Sequence, residues 1–214
     1  MKKIFLSLFI FSFIFLLAGC GNTNCSNDPN DQKEYKPVLY LYPKEEMKIN
    51  VKFEKPELLL TTYPQYNNGW EVTVKPNGDM FDKNGKYYYA LYWDQKSLLK
   101  EDFSEGFFVT KDNAIEFLET TLTKIGLNDR ERNEFIMYWL PILEQNEMSI
   151  VKYTLTDELQ NKNALIIEPK PDSLLRVNID IKKVDKEINI KKQELPTFNR
   201  TGFTAIEWGG RIIK

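Results

Sequence analysis

The sequence predicts an α+β fold, with one or more mainly antiparallel β-sheets and one inserted helical hairpin. Three observations lead to this class: short runs that alternate apolar and polar residues, two neighbouring apolar patterns at helical spacing, and turn residues between them. Strands are predicted before and after the helical pair without regular alternation of strand and helix, which is typical of α+β proteins. We expect a single domain over residues 37–214.

A period of two along the chain predicts the strands. The clearest alternation of apolar and polar side chains covers residues 47–53, 70–74 and 175–182, and it indicates one buried and one solvent-exposed face. In the last of these runs, Arg176 and Asp180 belong to the row expected to face solvent. Other runs rich in β-branched, aromatic or leucine residues are also predicted as strands, namely 37–42, 58–63, 87–93, 150–155, 164–167 and 203–208.

Two Asn-Gly pairs, at residues 77–78 and 84–85, predict tight turns and therefore a hairpin or meander in this part of the sheet. The second pair also resembles part of a calcium-binding loop. With Gly85 as the sixth residue of such a loop, the first and twelfth residues would be Met80 and Leu91, and neither carries a carboxylate. A calcium site is therefore not predicted.

The helical hairpin is predicted from two apolar patterns with a short link between them. Thr110 can cap the first helix, and Gly126 is suited to end it in a left-handed conformation. Asn128 can cap the second helix, with Glu131 three residues later as in a capping box. Pro141 lacks a backbone donor, so we expect it to bend or end the second helix.

The composition excludes several classes of function. The chain has 214 residues, two cysteines and no histidine, so it lacks the commonest transition-metal ligand and the base of every nucleophile–histidine arrangement. Its formal net charge is −2, whereas nucleic-acid binding needs a positive field. We therefore expect no metal site, no cofactor and no nucleic-acid partner.

The first residues have the pattern of an export signal. Lys2 and Lys3 precede a largely apolar run over residues 4–17, and small residues follow. The run ends too early for a bilayer-spanning helix, which needs about 20 apolar residues. We expect residues 1–19 to be a cleaved leader, and an uncleaved N-terminal anchor helix is the alternative.

The segment Leu17-Ala18-Gly19-Cys20 resembles the lipobox of bacterial lipoproteins. The resemblance implies a diacylglyceryl group on the Cys20 sulfur, cleavage before Cys20, and membrane lipid as a partner. Stable anchoring takes two or more buried acyl chains. The implied location is a cell membrane, facing outside the cytoplasm. The sequence leaves open which membrane it is.

Residues 20–36 are then the lipidated N-terminus and a flexible tether, because residues 21–36 contain one aromatic and no aliphatic side chain. Cys25 has no partner within the chain once Cys20 is acylated. A free thiol and an intermolecular disulfide are the two interpretations.

Acidic residues adjoin three of the four tryptophans, which suggests a carboxylate-dependent glycosidase. Asp94, next to Trp93, and Glu207, next to Trp208, are the candidate catalytic pair. Adjacent residues of a strand point to opposite faces, so buried tryptophans with solvent-exposed carboxylates are the alternative.

Tyrosines are dense around residues 87–92. Their flat faces and polar tips suit a glycan or peptide surface as well as ordinary sheet packing. Alternation predicts two rows, one with Tyr87, Tyr89, Leu91 and Trp93 and the other with Tyr88, Ala90 and Tyr92. One row is expected to face the core and the other to be a candidate outward binding face, and Tyr88 and Tyr92 are candidate binding residues. Trp93 and Trp208 are the other candidate binding residues.

Several phrases, among them Tyr138-Trp139-Leu140-Pro141 and residues 202–210 with Glu207-Trp208-Gly209-Gly210, resemble those of a family of uncharacterised secreted and lipid-anchored microbial proteins. The resemblance spans about residues 36–210 and implies no activity or cofactor. We expect a lipid-anchored extracytoplasmic binding or envelope-structural module, with envelope glycan or protein as partner. A histidine-free hydrolase acting on envelope glycan is the alternative, and it requires the paired carboxyls to lie about 5 to 10 Å apart.

Overall fold

A computed structural model describes residues 32–214 of the chain. The predicted leader, the lipidation site at Cys20 and the thiol of Cys25 lie outside these residues. Among residues 32–214, no helix combines the length and the apolar character needed to cross a bilayer.

The described residues form strands and helices in the mixed order that defines an α+β fold. In chain order the elements are β1 (Lys33–Tyr42), β2 (Met47–Phe53), β3 (Leu59–Tyr63), β4 (Trp70–Val74), β5 (Met80–Phe81), β6 (Tyr87–Tyr88), β7 (Leu91–Lys96), β8 (Phe107–Thr110), α1 (Ala114–Ile125), α2 (Asp129–Glu144), β9 (Met148–Leu155), α3 (Thr156–Lys162), β10 (Leu165–Glu168), β11 (Ser173–Lys183) and β12 (Thr204–Ile213).

The strands form two sheets. The large sheet has seven strands in the order β3-β7-β1-β12-β11-β9-β8, and the small sheet has five in the order β10-β2-β4-β5-β6. Within these sheets, β11 and β12 pair in parallel and the other neighbours pair antiparallel. The predicted class, mainly antiparallel sheets with an inserted helical hairpin, is confirmed.

The large sheet is covered on both faces. The α1–α2 hairpin packs on one face, where the ring centroids of Phe135 and Trp208 lie 5.2 Å apart. The small sheet packs on the other, where Phe53 and Trp93 lie 4.9 Å apart. Truncating a buried aromatic of this kind costs about 3 to 5 kcal/mol, so these two apolar layers supply much of the stability of the fold.

Local signals in the sequence explain the helical hairpin. Gly126 has φ +110°, which a glycine adopts without a side-chain clash, and α1 ends there. The capping box of Asn128 and Glu131 is present, and the amide of Glu131 donates to Asn128 Oδ1 over 3.0 Å. Thr110 precedes a 3₁₀ turn rather than α1 itself. Pro141 lies inside α2, which continues to Glu144, so it does not end the helix.

The observed elements differ from the predicted ones in their bounds, in one divided strand and in elements that were not predicted. β1 begins at Lys33, so the last four residues of the predicted tether belong to the domain. The predicted strand over residues 87–93 is divided, because β6 pairs with β5 in the small sheet and β7 pairs in the large sheet. The strands β5 and β8 and the helix α3 were not predicted.

The prediction for β11 was wrong about one face. Its polar row is buried, with Arg176 at 1% and Asp180 at 2% exposure. β11 lies between β12 and β9 inside the large sheet, and both faces are covered. An alternating pattern indicates a solvent-exposed face only where nothing packs on the polar row. Here Arg176 is paired with Glu207 and Asp180 with Arg211, and both partners lie on β12.

Candidate binding groove

A groove lies beside the segment where the chain leaves the small sheet and enters the large sheet. It lies where β6 ends and β7 begins, next to α2, and its volume is about 620 Å³. Six tyrosines dominate its lining, which consists of Lys36, Val38, Tyr63, Tyr87, Tyr88, Tyr89, Ala90, Tyr92 and Tyr138. We refer to it as the tyrosine groove.

Three of these rings are half exposed. Tyr63, Tyr87 and Tyr89 have relative exposures of 54%, 50% and 45%. Tyr63 ends β3, and its ring packs edge-on against Tyr88 at 5.6 Å between centroids. Exposed aromatic rings gathered in one concave site are typical of a surface that binds a partner.

The alternation predicted for this segment is interrupted at the crossing. Tyr87 and Tyr89 are exposed, whereas Leu91 and Trp93, assigned to the same row, are fully buried. The reason is that the chain leaves the small sheet after β6 and enters the large sheet at β7. The alternation of buried and exposed residues along one strand therefore does not continue into the next. The groove is therefore lined from both predicted rows.

Cationic side chains lie against the tyrosine rings. Lys86 Nζ is 5.5 Å from the ring centroid of Tyr63 and 5.3 Å from that of Tyr88. Lys36 Nζ is 5.0 Å from the centroid of Tyr138. These are cation–π distances, and such contacts hold a lysine at an aromatic surface while its ammonium stays accessible.

Asp94 lies next to the groove on the strand that carries Tyr92. Its carboxylate accepts a hydrogen bond from the Lys36 amide at 3.0 Å and pairs with Lys33 Nζ at 2.7 Å. Burial, together with the nearby carboxylate of Asp94, raises the pKa of Tyr92 above its ordinary value. Asp94 thus holds the backbone of Lys36 and the ammonium group of Lys33.

Glu207 lies on the opposite face of the large sheet. It neighbours Trp208, whose ring packs under the α1–α2 hairpin, so its own side chain points towards the other face. There it accepts a hydrogen bond from Arg176 Nε at 2.5 Å, and both side chains are almost completely buried. The structure therefore does not bring Asp94 and Glu207 together in one cleft.

The four candidate binding residues separate into two pairs. Tyr88 and Tyr92 line the groove. Trp93 and Trp208 are fully buried, one beneath the small sheet and the other beneath the helices. The indole rings are core residues, and no sugar can stack on them.

Sequence reasoning missed Lys36 and Tyr138, which line the groove, and Lys86, which lies against two of its tyrosines. They come from β1, from α2 and from the turn before β6. The tyrosine density at residues 87–92 was the one sequence signal near this site.

Around Glu207, the large sheet contains a layer of buried polar side chains. Arg176 donates to the Asn163 carbonyl at 2.8 Å, and Arg211 pairs with Asp180 through Nε at 2.8 Å. Glu34 accepts hydrogen bonds from Gln95 Nε2 at 2.7 Å and from Ser97 Oγ at 2.8 Å. Burial raises the pKa of Glu34 to about 6.

The described residues contain no group of three or more histidine, cysteine, aspartate or glutamate side chains arranged to hold a metal ion.

Comparison with known proteins gives one informative match. No protein-family model and no solved structure matches the chain. A protein from Butyrivibrio fibrisolvens, described as an uncharacterised protein in the bglA 3′ region, is 30% identical over 96 residues, which are 96% of that protein and 44% of this chain. The chain therefore belongs to the same family as this uncharacterised protein from Butyrivibrio fibrisolvens.

Proposed function

We propose that the protein is an extracytoplasmic binding module, anchored by a lipid at Cys20, that binds a glycan of the cell envelope in the tyrosine groove. The observation that carries the proposal is the concentration of half-exposed tyrosines in one concave site. Tyr63, Tyr87 and Tyr89 keep about half of their surface in water. A sugar ring stacked on such faces would remove apolar surface from water, at about 25 cal/mol per Å².

The size and chemistry of the groove suit an oligosaccharide. A volume of about 620 Å³ is within the range of about 300 to 1,000 Å³ that small-ligand sites occupy. Phenolic hydroxyls at the ring edges can donate to and accept from sugar hydroxyls, which gives orientation to the stacked ligand.

Binding is favoured over hydrolysis by the distribution of carboxylates. Among the described residues that line the groove there is no aspartate or glutamate. Asp94 is adjacent, but Lys33 and the Lys36 amide already occupy its oxygens, and Glu207 faces away. A carboxylate-dependent glycosidase needs two acids flanking the bound sugar.

The test is a glycan-array screen with the full chain purified in detergent, followed by calorimetric titration of the glycans that bind. We expect the double variant Tyr63→Ala, Tyr87→Ala to weaken binding at least tenfold. The control is Leu60→Ala, because Leu60 is 49% exposed on the same strand as Tyr63 but does not line the groove. Equal affinity in the double variant and the control would contradict the proposal.

The anchor requires a separate experiment. Cells fed a radiolabelled fatty acid should incorporate label into the wild-type chain and not into Cys20→Ala. An unlabelled wild-type chain, or one recovered with its initiator methionine in the soluble extract, would contradict lipidation.

A further inference from the structure

The tyrosine groove is bordered by two lysines whose ammonium groups have no acidic partner in the described part of the chain. The ion pairs formed by residues 32–214 include neither Lys36 nor Lys86. Both ammonium groups lie instead over tyrosine rings. Elsewhere near the groove, Lys33 pairs with Asp94 at 2.7 Å and Arg130 pairs with Glu134 at 3.2 Å.

The acids of the hairpin that carries Lys86 are already engaged by neighbouring groups. Asp82 accepts hydrogen bonds from the amides of Asn84 and Lys86, at 2.8 and 3.0 Å. Asp79 accepts from the hydroxyl of Tyr87 at 3.0 Å. These carboxylates shape the turn and orient the ring of Tyr87, and they leave the Lys86 ammonium without a direct ion pair.

The backbone of Lys36 is held in an unusual conformation. Its φ of +53° lies in the left-handed region, which costs a non-glycine residue about 1 to 2 kcal/mol. The hydrogen bond from its amide to Asp94 stabilises that conformation. Strain that the surrounding structure maintains is concentrated at functional sites, and here it directs a lysine side chain to the rim of the groove.

Two unpaired cations beside exposed tyrosines predict the charge of the ligand. We propose that the groove binds an anionic polysaccharide, whose sugar rings stack on the tyrosines while its carboxylate or phosphate groups reach Lys36 and Lys86. This inference rests on the proposed function and adds the chemical class of the ligand. Desolvating the lysines without an anion would be costly, so a neutral glycan gains less from the same site.

The experiment titrates the full chain in detergent with three polysaccharides: polygalacturonate, which carries carboxylates, a phosphomannan, which carries phosphodiesters, and dextran, which is neutral. We expect one of the two anionic polymers to bind at least tenfold more tightly than dextran. The better of the two identifies the anion. Raising the salt concentration should weaken that binding, since contacts between exposed charges are screened.

Variants then assign the effect to the two lysines. Lys36→Gln and Lys86→Gln should each weaken anionic binding about tenfold, the loss of one charge-assisted hydrogen bond. Lys124→Gln is the matched control, because Lys124 is exposed on α1 and does not line the groove. Circular dichroism checks that Lys36→Gln folds, and Lys86→Gln, in an exposed turn, tests the inference independently of the strained position.

The outcomes separate the two proposals. If dextran binds as well as the anionic polymers and the lysine variants match Lys124→Gln, the anionic ligand is excluded while glycan binding stands. If the array yields a glycan but neither anionic polymer binds more tightly than dextran, only the ligand class is overturned. If no glycan of the array and none of the three polymers binds, or if Tyr63→Ala, Tyr87→Ala leaves binding unchanged, both the function and the ligand class are overturned.

Discussion

The two acids singled out by their tryptophan neighbours lie on opposite faces of one sheet, each paired with a cation, but only one of them borders an open groove. Glu207 forms a buried ion pair with Arg176, and both side chains have almost no contact with water. Asp94 lies beside an open groove, where Lys36 keeps an ammonium group without an acidic partner among the described residues. Charges satisfied within the fold have nothing left to offer a ligand, so the proposed ligand is expected at the unpaired cations.

The largest expected loss of stability comes from removing one partner of the buried ion pair between Arg176 and Glu207. Arg176→Met leaves Glu207 as an uncompensated charge in a site that is 1% to 4% exposed, and breaking such a pair costs about 3 to 5 kcal/mol. Urea unfolding monitored by tryptophan fluorescence measures the change in the free energy of unfolding.

The double variant Arg176→Met, Glu207→Leu is the control for that measurement. It removes both charges and should recover part of the lost stability. Recovery should stay incomplete, because Arg176 also donates to Gln160 Oε1 and to the Asn163 carbonyl. If the double variant were less stable than Arg176→Met, the ion pair between Arg176 and Glu207 would not be what stabilises the buried polar side chains around it.

A second, smaller effect is the pH dependence contributed by Glu34. Its pKa is raised from 4.5 to about 6 in the folded protein by burial and by the charge of Glu207. The folded state therefore binds a proton more readily than the unfolded state. The contribution of Glu34 to stability is largest below pH 4.5 and falls as the pH rises through 6, by at most about 2 kcal/mol.

Comparison with Glu34→Gln isolates the contribution of Glu34 and of the groups coupled to it, because distant groups titrate equally in both proteins. Asp102, whose pKa is lowered mainly by its hydrogen bond with Lys152, contributes in the opposite direction and cancels in the difference. As the pH is lowered from 7 to 4.5, we expect the free energy of unfolding of the wild type to rise relative to that of Glu34→Gln. A difference in unfolding free energy that stays constant over this range would rule out Glu34 as the titrating group.

The elements predicted well were those whose signals lie within a few residues. Asn128 and Glu131 are three positions apart, and their capping box could be recognised directly. The burial of Arg176 could not, because its partner Glu207 is 31 positions away and on another strand. An alternating pattern shows which residues share a face of the strand, but it does not show whether another part of the fold covers that face. The polar row of β11 was therefore predicted to be exposed to solvent.

The groove was found only in part for the same reason. Tyr88 and Tyr92 are in the tyrosine-rich run, but Tyr63 and Tyr138 belong to distant segments that the fold brings to it. The change of sheet between β6 and β7 has no local signature beyond the dense tyrosines. A motif of adjacent residues, such as a tryptophan beside an acid, does not predict that their side chains meet in one site, because neighbouring residues of a strand point to opposite faces.

On the groove side, Asp94→Asn should have a moderate effect. It removes the charge that pairs with Lys33 and weakens the acceptor of the Lys36 amide, so we expect a loss of about 1 to 2 kcal/mol. Lys33→Gln is the control, since it deletes a partly exposed ion pair and should cost below about 1 kcal/mol. Chemical denaturation of both variants tests whether Asp94 acts mainly on Lys36; equal losses would assign its role to Lys33 instead.

The smallest effect on stability is expected where the effect on binding is greatest. Tyr87 is half exposed, and its hydroxyl bonds to the exposed Asp79, so Tyr87→Ala should change the free energy of unfolding by about 0.5 kcal/mol or less. Tyr153, fully buried and bonded to Thr121, is the contrasting tyrosine, and Tyr153→Ala should cost several times as much. Thermal unfolding and glycan titration of the same two proteins compare stability with affinity. A large stability loss in Tyr87→Ala would mean that the exposed rings support the fold rather than a ligand.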